Sequence, residues 1–295
     1  MKKEFIISII VLVVLMPTCF LLYNHFTDEK GYKNYFNLET MPRIDASTAT
    51  QPLTDAFAKY FGNEEVLENV KVNYTNTHPA YVKLINNETD LIIVTEPSKE
   101  ELQLAKDKGV ELEVTKIVNE GFVFFVNSNN PVDNLDLNKI VDIYSGKITN
   151  WNKVGGNDAN IIAYQRPTNS GSQTGMLSLV MKDVKMKDPT TEEAVATMGE
   201  IIDVVADYDN NVSGIGYSYY YYANIMYNSP NIKFLGINGI KPTYDTISDG
   251  SYPIMTAYYI VTRKDADENT KKLKEILLSE EGAKVAKEAG YVPIK

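Results

Sequence analysis

The chain has 295 residues, with 29 Lys and Arg against 39 Asp and Glu, a formal net charge of −10 and one cysteine. This acidity argues against nucleic acid, which needs a basic face for its phosphate backbone, and a lone cysteine rules out a disulfide framework. A small anion is not excluded, because short-range hydrogen bonds in a desolvated pocket outweigh a screened distant field.

In chain order, Met1-Lys2-Lys3-Glu4 precedes an apolar run from Phe5 to Tyr23, broken by Ser8, Pro17, Thr18 and Cys19. Crossing a bilayer takes roughly 20 such residues, and Lys2 and Lys3 set the N-terminus inside. No small-residue cleavage site follows. The first reading is an uncleaved membrane anchor within residues 1–30, with the remainder extracellular. Lipid attachment at Cys19, after a poorly matching Met16-Pro17-Thr18, ranks second and free secretion third. Residues 1–30 hold Lys2, Lys3 and Lys30 against Glu4, Asp28 and Glu29, so the remainder keeps the whole −10.

From Met41 to Lys295 about 255 residues remain, enough for two lobes of ordinary domain size. Leu53 to Tyr60 reads as helix, Val70 to Tyr74 as extended, Ala80 to Asn86 as helix and Leu91 to Val94 as a buried strand. Lys99 to Lys108 is helical, Gly121 to Val126 a strongly apolar strand, and Asn160 to Tyr164 another strand. Gly175 to Met181 reads as the start of a helix, and Lys271 to Ala289 as one terminal helix with a solvated face. The alternation predicts an α/β fold with mostly parallel, two-sided sheets.

Three helix starts are rich in hydroxyls. Asp45-Ala46-Ser47-Thr48-Ala49-Thr50 leads into one, Tyr74-Thr75-Asn76-Thr77-His78-Pro79 into the next, and Arg166 precedes Ser170-Gly171-Ser172-Gln173-Thr174 at the third. Ordinary N-capping explains each alone. Together, unpaired N–H groups, hydroxyls, a close-approach glycine and a forked guanidinium make an oxyanion cradle. At the carboxyl ends of strands they would converge on one crevice.

These segments, with Ile143 to Gly156 and Ser213-Gly-Ile-Gly-Tyr217, resemble the PstS-type phosphate-binding proteins, the extracytoplasmic solute-binding components of ATP-driven phosphate importers. The resemblance runs from Ile44 to Lys295. It implies a two-lobed, hinged, type II periplasmic-binding-protein-like fold behind one N-terminal membrane-spanning or signal helix. The ligand would be inorganic phosphate, held between the lobes, and the partners would be the permease subunits of an ABC transporter, with no cofactor and no metal. Residue by residue, Thr48, Thr77, Arg166, Ser170, Gly171 and Ser172 match family ligand contacts. Glu96 stands where the family often has a proton-accepting aspartate, with Thr95 the alternative. The family's aspartate two residues after the arginine is here Thr168. Lobe one is expected to comprise 41–120 plus 246–295 and lobe two 121–245, because Gly121 to Val126 and Ile254 to Val261 read as the crossing strands.

Other readings have less behind them. Gly171-Ser172-Gln173-Thr174-Gly175 is not the Gly-x-Ser-x-Gly of a nucleophile elbow, and His78, with no visible partner, reads as a helix-start or pocket-wall residue. Asp207 to Asn211 imitates a calcium loop, but Val212 stands in place of the required glycine. The tyrosines from Tyr217 to Tyr222 pack the second lobe, with Tyr217 able to border the cleft. Binding of another, sulfate-like oxyanion without transport is the alternative function, and an extracellular hydrolase or adhesion module on this scaffold is the alternative from another class.

Overall fold

The computed structural model describes residues 35–62, 72–207 and 212–294. The expected anchor, the start of the 70–74 stretch and most of the Asp207–Asn211 loop lie outside the described residues. Among those described, no helix is long and apolar enough to cross a membrane.

One strand organises the molecule. In the first sheet β1 (Ile44–Ala46) pairs in parallel with β2 (Leu91–Val94), and β2 runs antiparallel to β9 (Met255–Arg263). The first part of β3 (Leu112–Asn127) lies antiparallel to β9, from Leu112 opposite Arg263 to Gly121 opposite Met255. From Phe122 onward β3 changes neighbours and pairs antiparallel with β6 (Gly214–Tyr219) and β7 (Ile232–Phe234). Beyond β6 lies the parallel β5 (Ile162–Ala163). The small β4 (Asn134–Leu135) and β8 (Gly236–Ile237) pair with each other, and β10 (Val292–Pro293) flanks β3 near Val118. The result is a mixed α/β fold of two lobes. The expectation of mostly parallel sheets is corrected: β3 lies antiparallel to β9 in the first sheet and to β6 and β7 in the second, and antiparallel neighbours need no helical crossover between them.

Helices cover these sheets. On the first lie α1 (Gln51–Phe61), α2 (Thr77–Ile85) and α3 (Lys99–Asp107). On the second lie α4 (Leu137–Tyr144), α5 (Gly171–Gly175, running on as a π-helical stretch to Met181) and α6 (Met198–Ala206). Near the first sheet again come α7 (Tyr244–Ser248), α8 (Glu268–Leu277) and α9 (Glu280–Glu288). In α1, Leu53, Phe57 and Phe61 recur at helical spacing and are all buried. The single terminal helix read from the sequence is two, because Ser279 accepts the Gly282 amide and starts α9 afresh. A Cβ on Gly282 would stand 2.1 Å from the Leu277 carbonyl oxygen, so only glycine permits this tight junction.

Residues 122–126 read as an unbroken apolar run because both faces are covered. Phe122, Val123, Phe124, Phe125 and Val126 are fully buried, with the Phe122 ring 5.6 Å from Tyr217 and 5.5 Å from Tyr219.

Glu120 sits just before β3 changes sheets, and its buried Oε1 accepts the Gly121 amide at 2.8 Å and the Tyr221 amide at 3.3 Å. Burial pushes its pKa up from 4.5 to about 7, against the opposing pull of these amides. Between those two values the folded chain keeps a proton that the unfolded chain has released. Stability therefore falls as pH rises through that window, by about 3 kcal/mol in all. Glu120→Gln imitates the protonated acid and should flatten this slope, raising the denaturant midpoint at pH 8. Urea titrations at pH 5 and 8 test it, and a variant with the wild-type slope would clear Glu120 of the effect.

Candidate functional site

The loops at the carboxyl ends of β1, β2 and β5 open towards one another. Ser47 follows β1, its amide bonded to the Ile93 carbonyl at 3.1 Å, and Thr50 donates to the same carbonyl at 2.6 Å. The fully buried Asp45 carboxylate accepts from the Thr75 amide at 3.0 Å, the Thr75 hydroxyl at 2.7 Å and the Lys83 ammonium at 3.1 Å. This anchors the loop leading into α2. At its end Asn76 adopts φ 73° and ψ 173°, a conformation nearly reserved for glycine. The Thr48 hydroxyl holds it by donating to Asn76 Oδ1 at 2.7 Å.

On the other side Ser170 caps α5 by accepting the Gln173 amide, and Gly171 opens the helix. A Cβ on Gly171 would lie 2.5 Å from Thr95 Oγ1 and 2.6 Å from Thr77 Oγ1, so the two lobes meet here. The crevice between them has a volume of about 470 Å³ and is lined by Thr48, Thr77, Arg166, Ser170, Gly171 and Ser172, together with Ser47, Asn76, His78, Thr95, Thr197, Tyr219 and Tyr222. A larger hollow of about 670 Å³ on lobe two shares only Arg166, Pro167 and Ala196 with it.

Arg166 is half-buried. Its amide donates to the Tyr217 hydroxyl at 3.0 Å and to Gln173 Oε1 at 3.2 Å, and Tyr217 in turn bonds Gln173. Its Nη1 donates to the Val195 carbonyl at 3.2 Å. Its Nε is buried without a partner, as is the Ser172 hydroxyl, and among the described residues no carboxylate forms an ion pair with the guanidinium. Desolvation lowers the Arg166 pKa, but a guanidinium stays charged. Each unmet buried donor costs about 1–3 kcal/mol, and a charged one more, so this arrangement favours an anionic guest.

Among the described residues no Asp or Glu lines the crevice. Six of the seven residues singled out from the sequence are brought together there; Glu96 is not. The placement of Glu96 is a correction: its carboxylate bonds the Ser178 hydroxyl of the other lobe, and the buried Thr95 faces the crevice instead. Tyr217 lies behind Arg166, while Tyr219 and Tyr222 form the wall. Tyr219 donates to the Gly171 carbonyl at 2.8 Å. Thr197 was legible but unread: Thr197-Met-Gly-Glu200 is a capping box and a further hydroxyl-bearing helix start.

A family model for the PBP superfamily domain matches residues 39–281. The phosphate-binding protein PstS of Staphylococcus aureus (strain USA300) is 28% identical over 257 residues, covering 84% of this chain and 76% of the relative. An ABC-type phosphate transport receptor from Vibrio cholerae superposes with a TM-score of 0.66 at 26% identity, over 85% of this chain and 98% of the other. A provisionally assigned phosphate ABC transporter substrate-binding protein from Clostridium perfringens, with bound phosphate, gives a TM-score of 0.68 at 24% identity with the same coverage. At that identity it speaks for the fold alone.

Proposed function

The chain belongs to the PBP superfamily, and on that premise we propose that it binds inorganic phosphate outside the cytoplasmic membrane and delivers it to an ABC importer. The observation that carries this reading is the half-buried Arg166 guanidinium with a buried, unused Nε, and the unused Ser172 hydroxyl, on a crevice lined by no carboxylate among the described residues. Arg166 supplies the charge. Ser170 and Ser172 stand at the start of α5, Gly171 lets its backbone come close, and Thr48 and Thr77 answer from the opposite lobe. The reading is of binding without turnover.

Lobe one is then 41–120 with 246–295, lobe two 121–245, and closure pivots where β3 and β9 pass between them. The apolar run near the N-terminus would hold the binding part at the outer membrane surface, within reach of the permease subunits. Calorimetric titration of the full chain with phosphate should show one saturable site and no product. Absence of binding would overturn the proposal.

The lack of a lining carboxylate also favours a second reading, a site for oxyanions that carry no proton, such as sulfate. Glu96, tied to Ser178 and absent from the lining, does not arbitrate between the two. Glu96→Gln should loosen that contact, worth about 0.5–1.5 kcal/mol, and leave the ratio of phosphate to sulfate affinity as in wild type. Competition titration decides, and a changed ratio would return the selecting role to Glu96.

A further inference from the structure

We propose that His78, oriented by Glu101, selects among oxyanions by their protonation, so that the crevice admits proton-free anions only when this imidazole is charged. The inference deepens the anion-binding reading above and rests on it.

His78 is the second residue of α2 and lines the crevice. Its Nδ1 lies 3.0 Å from Glu101 Oε1, and Glu101 is only 1% exposed. The other Glu101 oxygen accepts the Ser98 amide at 2.7 Å in the capping box of α3. A carboxylate can only accept, so Nδ1 carries a hydrogen whether the ring is neutral or charged. The change of state falls on Nε2, which has no hydrogen-bond partner among the described residues. Nε2 is a lone-pair acceptor in the neutral ring and an N–H donor in the imidazolium.

The surroundings leave this switch isolated. From α3 only Glu101 bonds it. On its own helix Tyr81 is buried, its phenol pushed well above the ordinary range. The loop after β2 contributes Thr95 and, pointing away to Ser178, Glu96. Across the crevice stand Arg166, which stays charged, and Tyr219 and Tyr222, both raised by burial. Among the described residues His78 is thus the one imidazole that lines the crevice.

The consequence is a chemical filter. A neutral Nε2 can take a hydrogen bond from the P–OH of monobasic or dibasic phosphate, whereas sulfate presents only lone pairs to it. A charged imidazole donates to either anion and adds a favourable charge. The discrimination would be made by a base whose Nε2 exchanges a lone pair for an N–H on protonation.

The test uses sulfate, which does not titrate in this range, so any slope belongs to the protein. Sulfate affinity of the full chain should rise at least about tenfold from pH 8 to pH 5.5, and His78→Gln should flatten that rise while weakening phosphate modestly. By linkage, saturating sulfate should raise the pKa of His78 followed by imidazole NMR in the wild-type chain by about one unit or more. That measurement stands even if the variant does not fold. A flat wild-type sulfate profile, a variant that keeps the slope, or an imidazole pKa indifferent to sulfate would each overturn the inference. If phosphate binds normally in those cases, the anion site itself stands. If neither anion binds at any pH, both readings fall together. Glu120, whose pKa burial pushes up to about 7, cannot mimic the expected result, since its contribution would persist in His78→Gln.

Discussion

Arg166→Ala should weaken phosphate binding by about 2–5 kcal/mol, from roughly thirtyfold to several thousandfold in Kd. Among the described residues the guanidinium is the one lining group that is charged at every working pH, and it is partly desolvated. Its Nη1 is committed to the Val195 carbonyl, which fixes the plane of the fork, while Nε remains unused. An alanine removes the charge and leaves only neutral donors, the Ser172 hydroxyl among them, to meet the anion. Arg166→Lys should recover only part of the loss, because an ammonium on a flexible stem cannot reproduce the planar fork. Thermal stability should not fall with affinity, and in the unliganded alanine variant it should hold or rise, since an unpaired buried charge has been taken out. Calorimetry and thermal denaturation on the same samples separate the two effects. Wild-type phosphate affinity in the alanine variant would remove Arg166 from the site.

How much of this was legible depends on what each residue type can announce. Arg166 and Ser170 to Ser172 were readable because a strand, a cation, hydroxyls, a glycine and a helix follow in immediate succession. Thr48 and Thr77 announced themselves in the same way, as hydroxyls at helix starts. Glu96 misled for a physical reason. Leu91 to Val94 are buried on both faces, so the run has no polar alternation to fix which face the next residue takes. Ile93 packs with one apolar cluster and Val94 with another, and continuing that alternation puts Thr95 and Glu96 on opposite sides. The same burial hid strand direction, since an apolar run looks alike in parallel and antiparallel company. The π-helical continuation of α5 over Met176–Met181 leaves no mark in residue type at all. Nor does the pairing of His78 with Glu101, which lie 23 residues apart and meet only because α2 and α3 pack together.

Gly171→Val should abolish measurable phosphate binding while leaving the fold intact. At Gly171 the backbone of lobe two comes within reach of Thr95 and Thr77 from lobe one, and the Cβ positions implied there, at 2.5 and 2.6 Å, are closer than real contacts allow. Gly171 is absent from the positive-φ residues, so a larger side chain suits its own backbone and meets trouble only across the crevice. Overpacking of this kind costs about 1–3 kcal/mol for a single added carbon, and a branched side chain adds to that. Parting of the lobes about the proposed hinge would relieve it. The variant should therefore fold and melt like wild type, because the strain arises only where the lobes meet. Gly171→Ala should be intermediate, with affinity reduced ten- to a hundredfold. Small-angle scattering supplies the second readout: wild type should compact on adding phosphate, and Gly171→Val should not. Removing the nearer obstacle with Thr95→Ala in the Gly171→Ala background should restore part of that compaction. A Gly171→Val chain that binds phosphate and compacts as wild type does would mean that the lobes do not meet at this glycine when the ligand is bound, and that Gly171 serves only the start of α5.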